Sequence, residues 1–233
     1  MANGITPFFL RHIKLVAFIL CRFLRRGFTK PTYSSVPLQS QLLSDDELST
    51  LLATDRDLEG RVANYLEKIL DRTFSVRPTI GTANFALQSR DRTTGFVSDL
   101  VNEGFGTNQL VTILTKALRK EVTTVCIEET EIHLHPELMD KVIAVLIDIA
   151  NEEQKQFIIS THSEHIVSSA LTHVSKGRLD SKDLKLYYLH KEKKHAIVEE
   201  QKVNEKGQVE GGLKTFYDTD LKNIRDFFNV PSE

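Results

Sequence analysis

Beyond residue 44 the apolar positions of the chain follow two periods in turn, one suited to helices and one to strands. Ser44-Asp-Asp-Glu47 has the spacing of a capping box, in which hydroxyl and carboxylate satisfy each other's backbone amides, and it predicts a short helix. Leu58, Val62, Leu66, Ile69 and Leu70 share one face at helical spacing, so a second helix is expected from about Asp57. Phe74-Ser-Val-Arg-Pro78, Asn84-Phe-Ala-Leu-Gln-Ser89 and the stretch near Phe96 read as short strands. Longer units follow. Leu110, Ile113, Leu114, Ala117 and Leu118 form an amphipathic helix, and Val122-Thr-Thr-Val-Cys-Ile127 is a β-branched run suited to a buried parallel strand. Leu138, Val142, Val145, Leu146 and Ile149 build the next helix, Phe157-Ile-Ile159 the next strand, and a further helix begins just after His162. In the tail, Leu184–Leu189 and Ala196–Val198 flank Lys191-Glu-Lys-Lys194 and predict a hairpin with a solvated tip; a last helix is expected near Leu221–Phe228. The expected fold class is α/β, a parallel sheet flanked by helices with a small β-hairpin and helix at the carboxyl end.

Residues 1–43 carry less pattern, and the chain divides into this segment and a lobe over 44–233. Leu15-Val-Ala-Phe-Ile-Leu-Cys21, between Lys14 and Arg22, is far short of the roughly 20 apolar residues that span a bilayer. The following Arg22-Phe-Leu-Arg-Arg26 has no small-residue cleavage site, so neither a transmembrane segment nor a cleaved signal is expected. A basic interfacial helix is the alternative to a packed segment, and the packed reading is adopted.

Composition narrows the class without naming a chemistry. At 233 residues, 40% hydrophobic and 27% charged, the chain is long enough for a real core and too apolar for disorder. Thirty basic against 32 acidic residues give a net charge of −2, so overall charge offers no argument for nucleic-acid binding. Cys21 and Cys126 match no metal or redox spacing, and a reducing cytoplasm is the expected location.

The chemistry concentrates in Val125-Cys-Ile-Glu-Glu-Thr-Glu-Ile-His-Leu-His-Pro136. An apolar strand that ends in two acids places carboxylates at the carboxyl edge of a parallel sheet, where open α/β folds bind ligands. In nucleotide hydrolases one such acid organises a Mg²⁺ shell and its neighbour polarises water; taken alone, the pair also reads as a solvated strand end. Two further pieces accompany it. Asn102-Glu-Gly-Phe-Gly-Thr-Asn-Gln109 sets two glycines and small polar residues before a helix, a combination that presents bare amides to an anion. Phe157-Ile-Ile-Ser-Thr-His-Ser163 ends a second buried strand in Ser-Thr-His, from which a histidine can reach the same ligand.

These three pieces, in this order and with about 20 to 35 residues between them, resemble the carboxyl-terminal half of an ABC-class ATPase, over residues 100 to 170. More narrowly they are similar to the OLD-like, SMC and RecF-related AAA family ATPases. The resemblance implies that Gly104, Gly106, Thr107, Asn108 and Gln109 belong to a signature motif touching the nucleotide. It implies that Glu128 and Glu129 are Walker B metal ligand and catalytic base, and His162 the switch histidine. Glu131-Ile-His-Leu-His-Pro136 looks like the D-loop region, with His135 among its nucleotide-contacting positions. ATP and Mg²⁺ are the implied cofactors. The implied partner is a P-loop-bearing half or a homologous ATPase protomer, dimeric in the active state, with DNA possible through a wider assembly.

Three departures qualify the resemblance. Glu128 stands where many ABC proteins carry Asp, and Thr130 where Pro is usual. More seriously, no G-x-x-x-x-G-K-[ST] occurs in the sequence, and Gly207-x-x-x-x-Gly212-Leu-Lys-Thr215 interposes Leu213 before the lysine, so it reads as a turn. The P-loop half is therefore expected to come from elsewhere. The rival reading is a truncated, non-catalytic remnant acting as an interaction module. A half-domain would also leave an apolar face and an unpaired sheet edge, which Leu15–Leu24 could cover. His133, His135, His162 and His165 could be drawn as a zinc site, but no ligand logic supports one.

Overall fold

A computed structural model describes residues 6–10, 18–21, 27–39, 43–131 and 134–212. In chain order the elements are β1 (Thr6–Leu10), β2 (Phe18–Cys21), β3 (Tyr33–Ser34), α1 (Asp45–Thr54), α2 (Arg56–Ile69), β4 (Arg72–Pro78), β5 (Asn84–Asp91) and β6 (Val97–Asp99). They continue with α3 (Phe105–Ala117), β7 (Thr124–Glu128), α4 (Pro136–Glu152), β8 (Gln156–Thr161), α5 (Glu164–Ser175), β9 (Leu184–Glu192) and β10 (His195–Gln201). The fold is α/β. Every helix and strand expected between residues 44 and 201 is present, with ends shifted by a few residues. The helix expected near Leu221–Phe228 lies outside the described residues.

The main sheet has the order β10-β9-β1-β8-β7-β2. Its parallel part is β2, β7 and β8, with Leu20 opposite Cys126 and Cys126 opposite Ile158. The expected parallel sheet is present and is extended by antiparallel strands: β1 runs antiparallel between β8 and β9, and the expected β9–β10 hairpin follows. The physical reason is the connections. β7 and β8 are joined by a helical crossover, which parallel pairing requires, whereas β9 and β10 meet through a two-residue turn that permits only antiparallel pairing. β7 and β8 are flanked by the chain itself, since Phe18–Cys21, inside the apolar run, pairs along β7 and Thr6–Leu10 pairs along β8, leaving β2 as the outer strand among the described residues.

A second sheet, β3-β5-β4 with β6 also on β5, leans on α2. One continuous core runs through both sheets and includes Leu58, Val62 and Leu66 of α2, Val125 and Ile127 of β7, Phe157 and Ile159 of β8 and Val142 of α4. Local signals set the joints. Ser44 accepts from the Glu47 N–H while the Glu47 carboxylate accepts from the Ser44 N–H at 2.9 Å, completing the capping box that starts α1. Asp55 ends α1 and caps α2, its carboxylate accepting the Leu58 N–H at 3.0 Å. At the amino edge of β8 the buried Lys155 ammonium donates to the carbonyls of Arg119 and Val122, tying the strand to the end of α3; burial holds its pKa below the usual lysine range.

Candidate active site

The carboxyl ends of β7 and β8 lie side by side because Glu128 is in register with Ser160. Past that point both strands turn sharply. Glu129 has a left-handed backbone, φ 49°, unusual for a side chain with a Cβ, and its N–H donates to the Ser160 carbonyl at 2.7 Å. This turn brings the Glu129 carboxylate towards the next strand, and Oε1 stands 3.8 Å from Nε2 of His162, just beyond β8. Both side chains are partly solvent-accessible, at 35% and 40%, so a ligand can reach them. Glu128, Glu129 and His162 are thus brought to one sheet edge.

Glu131 extends this constellation. Its Oε1 accepts from the Thr161 hydroxyl at 2.6 Å and from the His162 backbone N–H at 3.0 Å. Neither Glu131 in this capacity nor Thr161 is legible from spacing, because the bond joins the turn after β7 to the end of β8, with the whole of α4 between them in sequence. The turn is also tied to α3, whose buried Gln109 donates from Nε2 to the Thr130 carbonyl at 3.4 Å.

The glycine-rich stretch splits between two environments. Gly104 is the N-cap of α3, exposed, with open space around its α-carbon, and Gly106 and Thr107 are half-buried in the first helical turn. Asn108 and Gln109 face inward. The Asn108 side chain accepts from the Phe28 N–H at 2.7 Å and donates to the Phe28 carbonyl at 2.8 Å, so its amide is engaged within the chain. His135 is the N-cap of α4, exposed, with Nδ1 accepting from the Glu137 N–H at 3.4 Å. His133 lies outside the described residues. Gly207, in the phosphate-loop lookalike, has φ 71°, and a Cβ there would stand 2.2 Å from the Leu171 carbonyl oxygen; the glycine serves close packing on α5. Leu213, Lys214 and Thr215 lie outside the described residues.

Among the described residues no three His, Cys, Asp or Glu side chains gather into a self-contained metal site. Adjacent carboxylates at a strand end do suit Mg²⁺, which prefers hard oxygens, keeps much of its water and leans on phosphate oxygens for the rest. Among the described residues no helix is long and apolar enough to cross a membrane.

Residues 32–167 match the model of a family described as the AAA ATPase domain. The chain belongs to that family. The match spans the second sheet, the acid pair and His162. No curated protein sequence matches the chain. Among solved structures, the Smc head domain with a coiled coil and joint from Pyrococcus yayanosii is similar with a TM-score of 0.52 and 12% identity, covering 73% of this chain and 30% of that one. An SMC ATPase structure described in terms of ATP-driven dimerization and DNA-stimulated activation gives 0.51 and 11%, covering 77% of this chain and 98% of that one. At such identities the likeness is one of fold. This chain spans less than a third of the length of the Pyrococcus yayanosii head with its coiled coil.

Proposed function

We propose that this chain is the acid-and-switch half of an ABC-class ATPase, of the OLD-like, SMC and RecF-related kind, that hydrolyses ATP across a dimer. The observation that carries the reading is the 3.8 Å approach of Glu129 to His162 at the carboxyl edge of two parallel strands, inside a region matched to the AAA ATPase domain. Glu128 would hold Mg²⁺, which would supply charge neutralisation at the phosphates. Glu129 orients and deprotonates the attacking water, and His162 touches the γ-phosphate. Gly104, Gly106 and Thr107 offer the exposed start of α3 to the nucleotide of a partner protomer, with Asn108 and Gln109 holding that start in place from within. His135 borders the same edge. The lysine cradle comes from outside these 233 residues, since no P-loop sequence occurs among them. ATP-driven dimerization, described for an SMC ATPase of the same fold, is the behaviour expected with a P-loop-bearing protomer.

The test is calorimetry and a turnover assay on the 233-residue chain, alone and with a P-loop-bearing partner. Alone, the chain binds ATP weakly and turns it over negligibly, because carboxylates and one imidazole polarise a ligand they cannot hold. Micromolar affinity with clear turnover by the chain alone overturns the need for an external P-loop. Absence of turnover with every P-loop partner tried, together with Glu129→Gln behaving as wild type, favours the non-catalytic reading.

A further inference from the structure

The turn after β7 concentrates unfavourable features in three consecutive residues. Glu129 is left-handed, and among the described residues the buried Thr130 hydroxyl and the buried Oε2 of Glu131 have no hydrogen-bond partner. Such costs persist where a geometry is needed for something other than stability. The turn is clamped to the end of β8 at two points. One clamp is main-chain, from the Glu129 N–H to the Ser160 carbonyl, and any residue could make it. The other requires a side chain: Oε1 of Glu131 receives both the Thr161 hydroxyl and the His162 N–H. The Thr161 hydroxyl in turn accepts the Ser163 N–H at 2.9 Å, so one carboxylate oxygen organises the whole link from β8 into α5.

We propose that Glu131 is a positioning residue that fixes His162 against Glu129, so that the base and the γ-phosphate contact move as one unit. The inference rests on the assignment of those two side chains to ATP hydrolysis. Displacement of the turn, for instance when a partner presses on the loop after Glu131, is transmitted through this carboxylate to the histidine. The two halves of the site are therefore engaged or disengaged together.

The test is nuclear magnetic resonance on the full 233-residue chain without nucleotide, following the His162 amide exchange rate and the side-chain rotamer averaging of His162. In Glu131→Ala the His162 amide exchanges about tenfold faster and its ring samples several rotamers, while the amide of Ile158 within β8 keeps its wild-type rate. In Glu131→Gln the carboxamide oxygen accepts the same two donors, and both readouts return towards wild type. Thr161→Val removes the bond to Glu131 and with it the acceptor of the Ser163 N–H, and covers the case in which the alanine variant does not fold; it loosens the ring while the amide of Ile158 keeps its wild-type rate. Unchanged His162 readouts in the alanine and valine variants overturn the proposal. So does failure of glutamine to rescue, or acceleration spread evenly over β8 and α5. Because no nucleotide is present, these results stand apart from the turnover assay, and either reading can fall while the other survives.

Discussion

The Asn108 carboxamide grips the backbone of Phe28 at both of its polar groups, joining the first turn of α3 to the chain that leads out of the amino-terminal segment. The contact is buried, and a Cβ on neighbouring Gly27 would stand 3.1 Å from Asn108 Oδ1. Asn108→Ala leaves a buried N–H and C=O without this partner and is expected to destabilise the fold by about 2 to 4 kcal/mol. Asn108→Asp keeps the acceptor but turns an anion towards the Phe28 carbonyl, and should cost a similar amount. Chemical denaturation checks both. An unchanged midpoint would move Asn108 from scaffold to ligand contact.

The proposed function gives the two acids at the end of β7 different roles. With a P-loop partner present, Glu129→Gln keeps shape and most nucleotide affinity and lowers turnover by about a hundredfold or more, trapping the closed, ATP-bound dimer. Glu128→Gln instead weakens the Mg²⁺-dependent part of binding. Titrations with and without Mg²⁺, paired with single-turnover rates, distinguish them. Equal and small effects would remove the division of labour.

His173 gives the fold a pH dependence. It is buried in α5, with Nε2 3.4 Å from the Asp140 carboxylate, which itself accepts from the Ser169 hydroxyl at 2.7 Å. Burial lowers its pKa below 6.5; Asp140 opposes the shift and the Arg178 charge adds to it. A depressed folded value means that the stabilising neutral form is fully in place above the unfolded pKa. Stability then falls as the pH drops through 6.5 towards the folded value, because the unfolded chain takes up the proton first. His173→Gln should flatten the melting temperature against pH between about pH 5 and 7.5. A slope that persists in that variant assigns the dependence elsewhere.

Gly207 cannot take a side chain without moving. Alanine there meets the Leu171 carbonyl oxygen at 2.2 Å and must also hold φ 71°, so the loop closed by the Val203–Val209 bridge is expected to lift from α5. The expected cost is about 2 kcal/mol or more, of which the backbone conformation alone accounts for roughly 1. Hydrogen exchange should rise in this loop and spare β7 and β8.

Residues that signal locally were legible in the sequence. The capping box at Ser44, the face from Leu58 to Ile69 and the Lys191–Lys194 turn each carry their geometry within a few residues, and each reappears in the structure. Glu128, Glu129 and His162 were findable because a polar cluster directly after a buried strand marks the strand's end. The strands at Thr6–Leu10 and Phe18–Cys21 were not, since their partners lie far along the chain. For the same reason the inward direction of Asn108 and the bond from Glu131 to His162 stayed hidden: each depends on a neighbour that only the completed sheet supplies.

The antiparallel place of β1 has a consequence for how the molecule is made. Phe8 sits opposite Ile159 on one side and Leu186 on the other, so β1 joins its neighbours only once β8 and β9, both far along the chain, are in place. Until then the hairpin of β9 and β10 has no link to the parallel strands through the sheet. Pairings this distant in sequence form slowly, because the loop must close before any contact repays it. Insertion of β1 is in effect a latch that joins the β9–β10 hairpin to β8 late in folding.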